Sequence, residues 1–292
     1  MLSPSSIPLR VNSFADVDEL DKAARHHYTS CGAGRMVWRC WGEGRPVVLL
    51  HGGAGSWTHW VRNVAALSQQ GRCVWAPDLP GFGDSAAPVR GGDADAVADC
   101  LSHSFRELFG YVQIDVVGFS FGALVAGFLA VRTPSLLSNV VLVGAPALSA
   151  IPSPAINLRP WNREEPGENR RAVHRHNLGA LMLFQDRAID ELAVTLHAEN
   201  VVRDRMTGRR LIFGDALLRL LPEIQCPVAG IWGAEDVIYR NRLEVIGNAL
   251  AHAPRMQQLV LIAQAGHWVQ YEQPEKFNEI LGRILDHFSI NH

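Results

Sequence analysis

Ser120 stands at the centre of Gly118-Phe119-Ser120-Phe121-Gly122, with a glycine two residues to either side. The β-branched run Ile114–Val117 precedes it, and an apolar segment of helical period opens at Phe121. A serine on so sharp a strand-to-helix turn projects its hydroxyl clear of the backbone. Glycine suits both flanking places, because they crowd against neighbouring backbone. The helix start also aims unpaired N–H groups and a positive dipole end at the spot where an oxyanion would form. The chemistry implied is nucleophilic attack by the hydroxyl on a carbonyl.

Such a serine needs a base to take its proton. Among the twelve histidines, His267 stands out. Gln258–Ile262 reads as the last strand, and Gly266-His267-Trp268 follows in the loop beyond its end. Parallel strands bring their C-terminal ends to one rim, so His267 is expected beside Ser120. His26, His27, His174, His176, His287 and His292 lie in helical or terminal contexts and read as solvated. His59 and His103 fall within helical segments and read as packing residues. His51 also follows a strand and is the rival base. An orienting carboxylate is expected after Val228–Trp232, where Glu235 and Asp236 both occur; Asp236 is preferred, since Glu235 adjoins the strand end. The strand before ends in Gly144-Ala145-Pro146-Ala147-Leu148, without an acid. His51-Gly52-Gly53 follows Val47–Leu50, so the backbone N–H groups of Gly53 and Phe121 are assigned as oxyanion donors. His51 then becomes a brace for that loop.

These residues need a frame that collects strand ends. Short β-branched runs occur at Met36–Trp41, Pro46–Leu50, Arg72–Ala76, Val112–Val117, Asn139–Val143, Val228–Trp232 and Gln258–Ile262. Segments of helical period separate most of them: Trp57–Gln69, Ala94–Phe109, Phe121–Val131, Asn241–Ala251 and Pro274–Phe288. Alternation of this kind predicts an α/β fold with a mostly parallel, doubly wound sheet. One interval breaks the rhythm: residues 149–217 begin Pro-rich (Pro152, Pro154, Pro160) and turn polar and helical from Glu168. A structureless loop of that length is uncommon, so a helical cap inserted into a core of residues 1–148 and 218–292 is expected. The first 35 residues, with a helix-like Val17–His26, read as an N-terminal extension.

Composition removes several function classes. The chain has 292 residues, 48% hydrophobic and 19% charged, with a formal net charge of -2. That balance gives no electrostatic footprint for nucleic acid or an anionic membrane. Only Lys22 and Lys276 are lysines among the 27 basic residues, and the arginines are spread along the chain. Five cysteines at 31, 40, 73, 100 and 226 match no zinc spacing and suit isolated thiols in a reducing compartment. His174-Arg175-His176 is no metal pair, because residues two apart on a helix face apart. Met1 to Arg10 lacks a signal-peptide pattern, and no apolar run reaches membrane-span length. A cytoplasmic protein with a small-molecule substrate, no metal and no cofactor is expected, with room for a homodimer. A dinucleotide lookalike, Gly53-Ala54-Gly55 followed by Asp78, fails because Thr58 takes the third glycine's place.

Taken together, His51-Gly52-Gly53, Asp78-Leu79-Pro80-Gly81-Phe82-Gly83-Asp84-Ser85, Gly118-x-Ser120-x-Gly122, Gly233-x-x-Asp236 and Gly266-His267 resemble the serine-nucleophile branch of the α/β-hydrolase superfamily. The resemblance runs from about residue 46 to the end of the chain, and the order Ser, Asp, His is the one expected of that fold. Gly266-His267-Trp268-Val269-Gln270-Tyr271-Glu272 is further similar to the meta-cleavage-product (C–C bond) hydrolases. Two features depart from that subfamily: Phe119 replaces the asparagine before its nucleophile, and Ala54-Gly55-Ser56 lacks the proline of its oxyanion loop. Ser120 also sets the chain apart from the haloalkane dehalogenases and epoxide hydrolases, which use aspartate there.

Phe119 and Trp268 flank catalytic positions and are expected to line an apolar acyl pocket. The expected cap contains Arg159, Arg163, Arg170, Arg171 and Arg175, which read first as a solvated face with Glu164, Glu165 and Glu168. The alternative is that one of them clamps a substrate carboxylate, with Arg175 the first choice. Three functions remain: a carboxylic-ester or lactone hydrolase, a C–C hydrolase of vinylogous diketones, and a hydrolase fold kept as a ligand-binding module.

Overall fold

The computed structural model describes residues 7–89, 91–151, 155–206 and 208–290; Met1 to Ser6, Pro152, Pro154 and His292 lie outside the described residues. Eight strands form one sheet: β1 Arg25–Cys31, β2 Gly34–Trp41, β3 Arg45–Leu50, β4 Arg72–Pro77, β5 Ile114–Phe119, β6 Leu137–Val143, β7 Val228–Gly233 and β8 Met256–Ile262. Their order is β1-β2-β4-β3-β5-β6-β7-β8. The first two pairings are antiparallel and the rest parallel. The helices are α1 Phe14–Lys22, α2 Val64–Gln69, α3 Ala94–Phe109, α4 Phe121–Arg132, α5 Glu168–Asn177, α6 Glu191–Val201, α7 Ala216–Leu220, α8 Glu244–Leu250, α9 Val269–Glu272 and α10 Pro274–Ile290.

The central strands carry apolar residues on both sides because both faces are covered. Every residue of β5, β6 and β7 is buried. Alternate residues of β3 divide between two core layers: Val48 and Leu50 pack with α3 and α4, and Val47 and Leu49 with α2 and α10. The parallel register matches Leu50 to Gly118, Phe119 to Val143 and Gly233 to Ile262. The C-terminal ends of β3, β5, β7 and β8 therefore share one rim.

Three sequence expectations need correction. The N-terminal 35 residues are no mere extension, since β1 and the start of β2 join the sheet. Arg-His-His-Tyr-Thr-Ser-Cys has a mostly exposed, polar edge position, so it carries no apolar signal. The helix expected through His26 ends at Lys22, after a start fixed by the reciprocal Ser13–Asp16 capping box. Trp57–Gln69 is two elements, a 3₁₀ turn at Trp57–Trp60 and then α2. Asp78 accepts the Trp57 N–H at 2.9 Å and binds Arg39 at 3.2 Å, which accounts for the acid in the rejected dinucleotide lookalike.

Between β6 and β7 the chain forms α5, a π-helical turn at Leu178–Met182, α6 and α7. Asp190 caps α6 by accepting the Ala193 N–H. Leu217 of α7 belongs to the main core, against Gly127 of α4.

Candidate active site

Strand β5 passes into α4 through Ser120, whose backbone sits at φ 51°, ψ −117°. That is an uncommon conformation for a residue with a side chain. It is held by the Ser120 N–H, which donates to Val143 O at 2.8 Å. The turn closes so tightly that a Cβ on Gly118 would stand 2.4 Å from Gly122 O. One on Gly122 would stand 2.5 Å from both Leu50 O and His51 O. Only hydrogen fits at either place.

His267 comes from the loop after β8 and Asp236 from the loop after β7. The imidazole Nε2 lies 2.9 Å from Ser120 Oγ, and Nδ1 lies 2.8 Å from Asp236 Oδ2. Asp236 has no exposed surface, and its other oxygen accepts the Ile238 N–H at 3.0 Å. A buried carboxylate so placed keeps the proton on Nδ1 and leaves Nε2 free to accept the serine proton. His51, the rival base, has both nitrogens engaged. Its Nδ1–H donates to Gly52 O at 2.7 Å, and its Nε2 accepts the Leu79 N–H at 2.8 Å. Burial pushes its pKa down to about 4, so the ring stays neutral.

Phe121 is the first residue of α4, and its N–H is one of the donors that no helical carbonyl can accept. Gly53 follows the braced Gly52 in the loop after β3. Beside it lies a group that the sequence reading did not single out: a Cβ on Gly53 would be 3.6 Å from Arg209 Cζ. The Arg209 guanidinium stands 5.2 Å from the Phe82 ring and 5.7 Å from the Phe121 ring. Two hydrogen bonds, of 2.9 and 2.8 Å, tie it to Asp204. Its sequence surroundings hold four arginines between 203 and 210, and nothing in their spacing marks one of them.

The pocket residues expected from sequence behave differently. Phe119 has no exposed surface; its ring packs 5.1 Å from the His267 ring and 5.4 Å from the His59 ring. Trp268 is equally buried, stacked 4.1 Å from Tyr271, with its indole N–H on His59 O at 3.0 Å. Both pack behind the candidate catalytic groups and form no open pocket wall. Arg175 is not brought to the site. It lies half-exposed on α5, held by Ile189 O at 2.7 Å and by Glu191. Glu191, not Glu164, Glu165 or Glu168, is the carboxylate that pairs with Arg171 and Arg175. His174, expected in solvent, is buried against His197 at 3.0 Å between the ring nitrogens.

Glu272 is a further residue that sequence alone left without a role. Its carboxylate accepts the Gly266 N–H at 2.7 Å, the Gln185 N–H at 2.6 Å and the Phe184 N–H at 3.1 Å. The inserted segment is thereby tied to the loop that carries His267. Asp190, at the head of α6, adds a second tie through Arg62 at 2.7 Å and the Tyr271 hydroxyl at 2.7 Å. Among the described residues, no cluster of three or more His, Cys, Asp or Glu could hold a metal ion. No helix among them is long and apolar enough to cross a membrane.

A family model described as alpha/beta hydrolase fold matches residues 45–182. The chain is 28% identical to a 2-hydroxy-6-oxononadienedioate/2-hydroxy-6-oxononatrienedioate hydrolase of Paraburkholderia phymatum, over 92% of this chain and 94% of that protein. In fold it is similar to the meta-cleavage product hydrolase CumD of Pseudomonas fluorescens, with TM-score 0.71 and 23% identity over 88% of this chain and 96% of that one. It is also similar to the naproxen esterase of Bacillus subtilis, with TM-score 0.71 and 20% identity over 90% of this chain and 91% of that one. The likeness in sequence and the likeness in fold agree on an α/β-hydrolase fold for this chain.

Proposed function

We propose that the protein is a serine hydrolase that cleaves a carboxylic ester or lactone of a small, largely apolar substrate through an acyl-enzyme. One observation carries this reading: Ser120 Oγ, His267 Nε2 and the buried Asp236 carboxylate form a continuous relay at 2.9 and 2.8 Å. In the first step His267 takes the Ser120 proton as Oγ attacks the ester carbonyl. The Gly53 and Phe121 N–H groups receive the developing oxyanion, and the imidazolium returns the proton to the leaving alcohol. Water then repeats the sequence on the acyl-serine and releases the acid. Residues 149–217 act as the cap, which is supported by Met182 to Phe184 lying against Gly266, by the Gln185 N–H on Glu272 and by Arg209 lying against Gly53.

A second reading, C–C hydrolysis of a vinylogous diketone, draws on the names of the relatives and on Arg209, a cation beside the oxyanion loop. The ester reading is preferred because Phe119 gives the nucleophile an apolar neighbour without a hydrogen-bonding group. C–C cleavage first converts a dienol to its keto form and must hold an anionic oxygen meanwhile. An unpartnered oxyanion costs roughly 1 to 3 kcal/mol, about ten- to hundredfold in rate. Measuring kcat/KM for a short-chain aryl ester and a ring-fission dienoate side by side decides between them. The ester is expected to be faster, and a clear preference for the dienoate would replace the first reading with the second.

A further inference from the structure

We propose that His59 is a positioning residue that aims the Gly53 N–H at the oxyanion, acting through the backbone of Gly52. The proposal rests on the serine-hydrolase reading. His59 lies in the 3₁₀ turn after β3, and its backbone and ring reach three parts of the site. The ring Nδ1 accepts the Gly52 N–H at 3.1 Å. The ring also packs 5.4 Å from that of Phe119, the residue before the nucleophile. Its carbonyl accepts the indole N–H of Trp268, the residue after His267, at 3.0 Å.

The geometry of one peptide unit shows what this contact does. The peptide between Gly52 and Gly53 is trans, so its C=O and N–H point in opposite directions. His51 donates to the Gly52 carbonyl at 2.7 Å from one side. His59 accepts from the Gly52 N–H and fixes the residue's other end. Two neutral imidazoles of opposite tautomer thus hold one glycine, with the proton on Nδ1 in His51 and on Nε2 in His59. With both ends held, the direction of the Gly53 N–H is set before substrate arrives, which is what oxyanion stabilisation requires. The local sequence is built for the contact. A Cβ on Gly55 would stand 2.1 Å from His59 Cε1, so the ring can reach Gly52 only across a bare backbone. A Cβ on Gly52 would stand 3.0 Å from the Phe119 ring and 3.3 Å from Ser120 Cβ, so the loop lies directly over the nucleophile. Burial holds His59 well below the usual histidine pKa, which keeps Nδ1 an acceptor.

Two substitutions separate acceptor from ring. His59→Phe keeps an aromatic ring and removes the acceptor. His59→Asn keeps an acceptor oxygen near the place of Nδ1 and removes the ring. For His59→Phe an aryl-ester kcat about ten- to hundredfold below wild type is expected, with KM within threefold. The Ki of an aryl trifluoromethyl ketone, a tetrahedral mimic, is expected to rise in parallel, while the Ki of the product acid stays fixed. His59→Asn is expected to recover kcat to within about threefold of wild type. Wild-type kcat and ketone affinity in His59→Phe, or an asparagine variant no better than the phenylalanine one, overturns the proposal. Fluorophosphonate labelling of the wild-type protein at Ser120 is run alongside. Failure there overturns the serine-hydrolase reading itself, whereas normal labelling with an indifferent His59→Phe overturns only the role of His59.

Discussion

Asp236 keeps a carboxylate with no exposed surface, so both of its oxygens need internal donors. His267 Nδ1–H and the Ile238 N–H supply them at 2.8 and 3.0 Å. Asp236→Asn sets an amide against the ring and favours the tautomer that cannot accept the serine proton. A fall of about 10³ to 10⁴ in kcat with unchanged far-ultraviolet circular dichroism is expected. Glu235→Gln is expected to stay near wild type, and equal losses in the two variants would contradict the assignment. The two arginines give a paired test of another kind. Arg175 is half-exposed and held by Glu191, so Arg175→Ala is expected to leave kcat and KM unchanged. Arg209 lies against Gly53, so Arg209→Ala is expected to raise KM several-fold for an acid-bearing ester. The reverse pattern, read from steady-state kinetics on that ester, returns the substrate contact to α5.

Elements whose job is written in their own residues were legible in the sequence. β5 and α4 could be read because a fully buried strand and a nearly all-apolar helix flank a five-residue turn. β7 and β8 are legible from their runs, and the loops after them carry Asp236 and His267, whose meeting at 2.8 Å only the fold shows. β1 was not legible, since an edge strand paired on one side can be polar throughout. Trp57–Gln69 has one helical period but two elements, because Ser56 and Asp78 bind the turn's N–H groups from outside it. Arg209 meets Gly53, and Glu272 meets Phe184 and Gln185, across long sequence separations, while His59 reaches Gly52 from seven residues away by a side chain-to-backbone contact that leaves no pattern in the sequence. Glu272 gives the test at this scale. Glu272→Ala removes the acceptor for Gly266, Phe184 and Gln185, and each N–H left unpaired costs about 1 kcal/mol or more where water cannot reach it. A lower melting temperature together with a lower kcat is expected, with Glu272→Gln between the two proteins. An alanine variant that melts and turns over like wild type would show that the inserted segment and the His267 loop are not coupled there.

The molecule as a whole gathers neutral histidines around its rim. Burial pushes the pKa of both His51 and His197 down to about 4, from an ordinary value of 6.5. The unfolded chain therefore takes up protons near pH 6.5 that the fold refuses, and stability is lost as pH falls from there towards 4. The loss is about 1.4 kcal/mol per histidine for each pH unit once well below 6.5. Melting temperatures are expected to hold steady from pH 8 to 7 and to drop between pH 6.5 and 5; a flat profile across that window would mean that these rings are charged in the fold. The same rim, with four strand ends converging, makes Ser120 the one serine among the described residues with an imidazole at 2.9 Å, and the proposed reading assigns two backbone donors to its oxyanion. Mass spectrometry of the intact protein after fluorophosphonate treatment, followed by peptide mapping, tests this most directly. One adduct per chain, on Ser120, and none in Ser120→Ala is the expected result. An unlabelled protein, or an adduct on any other serine, contradicts the account.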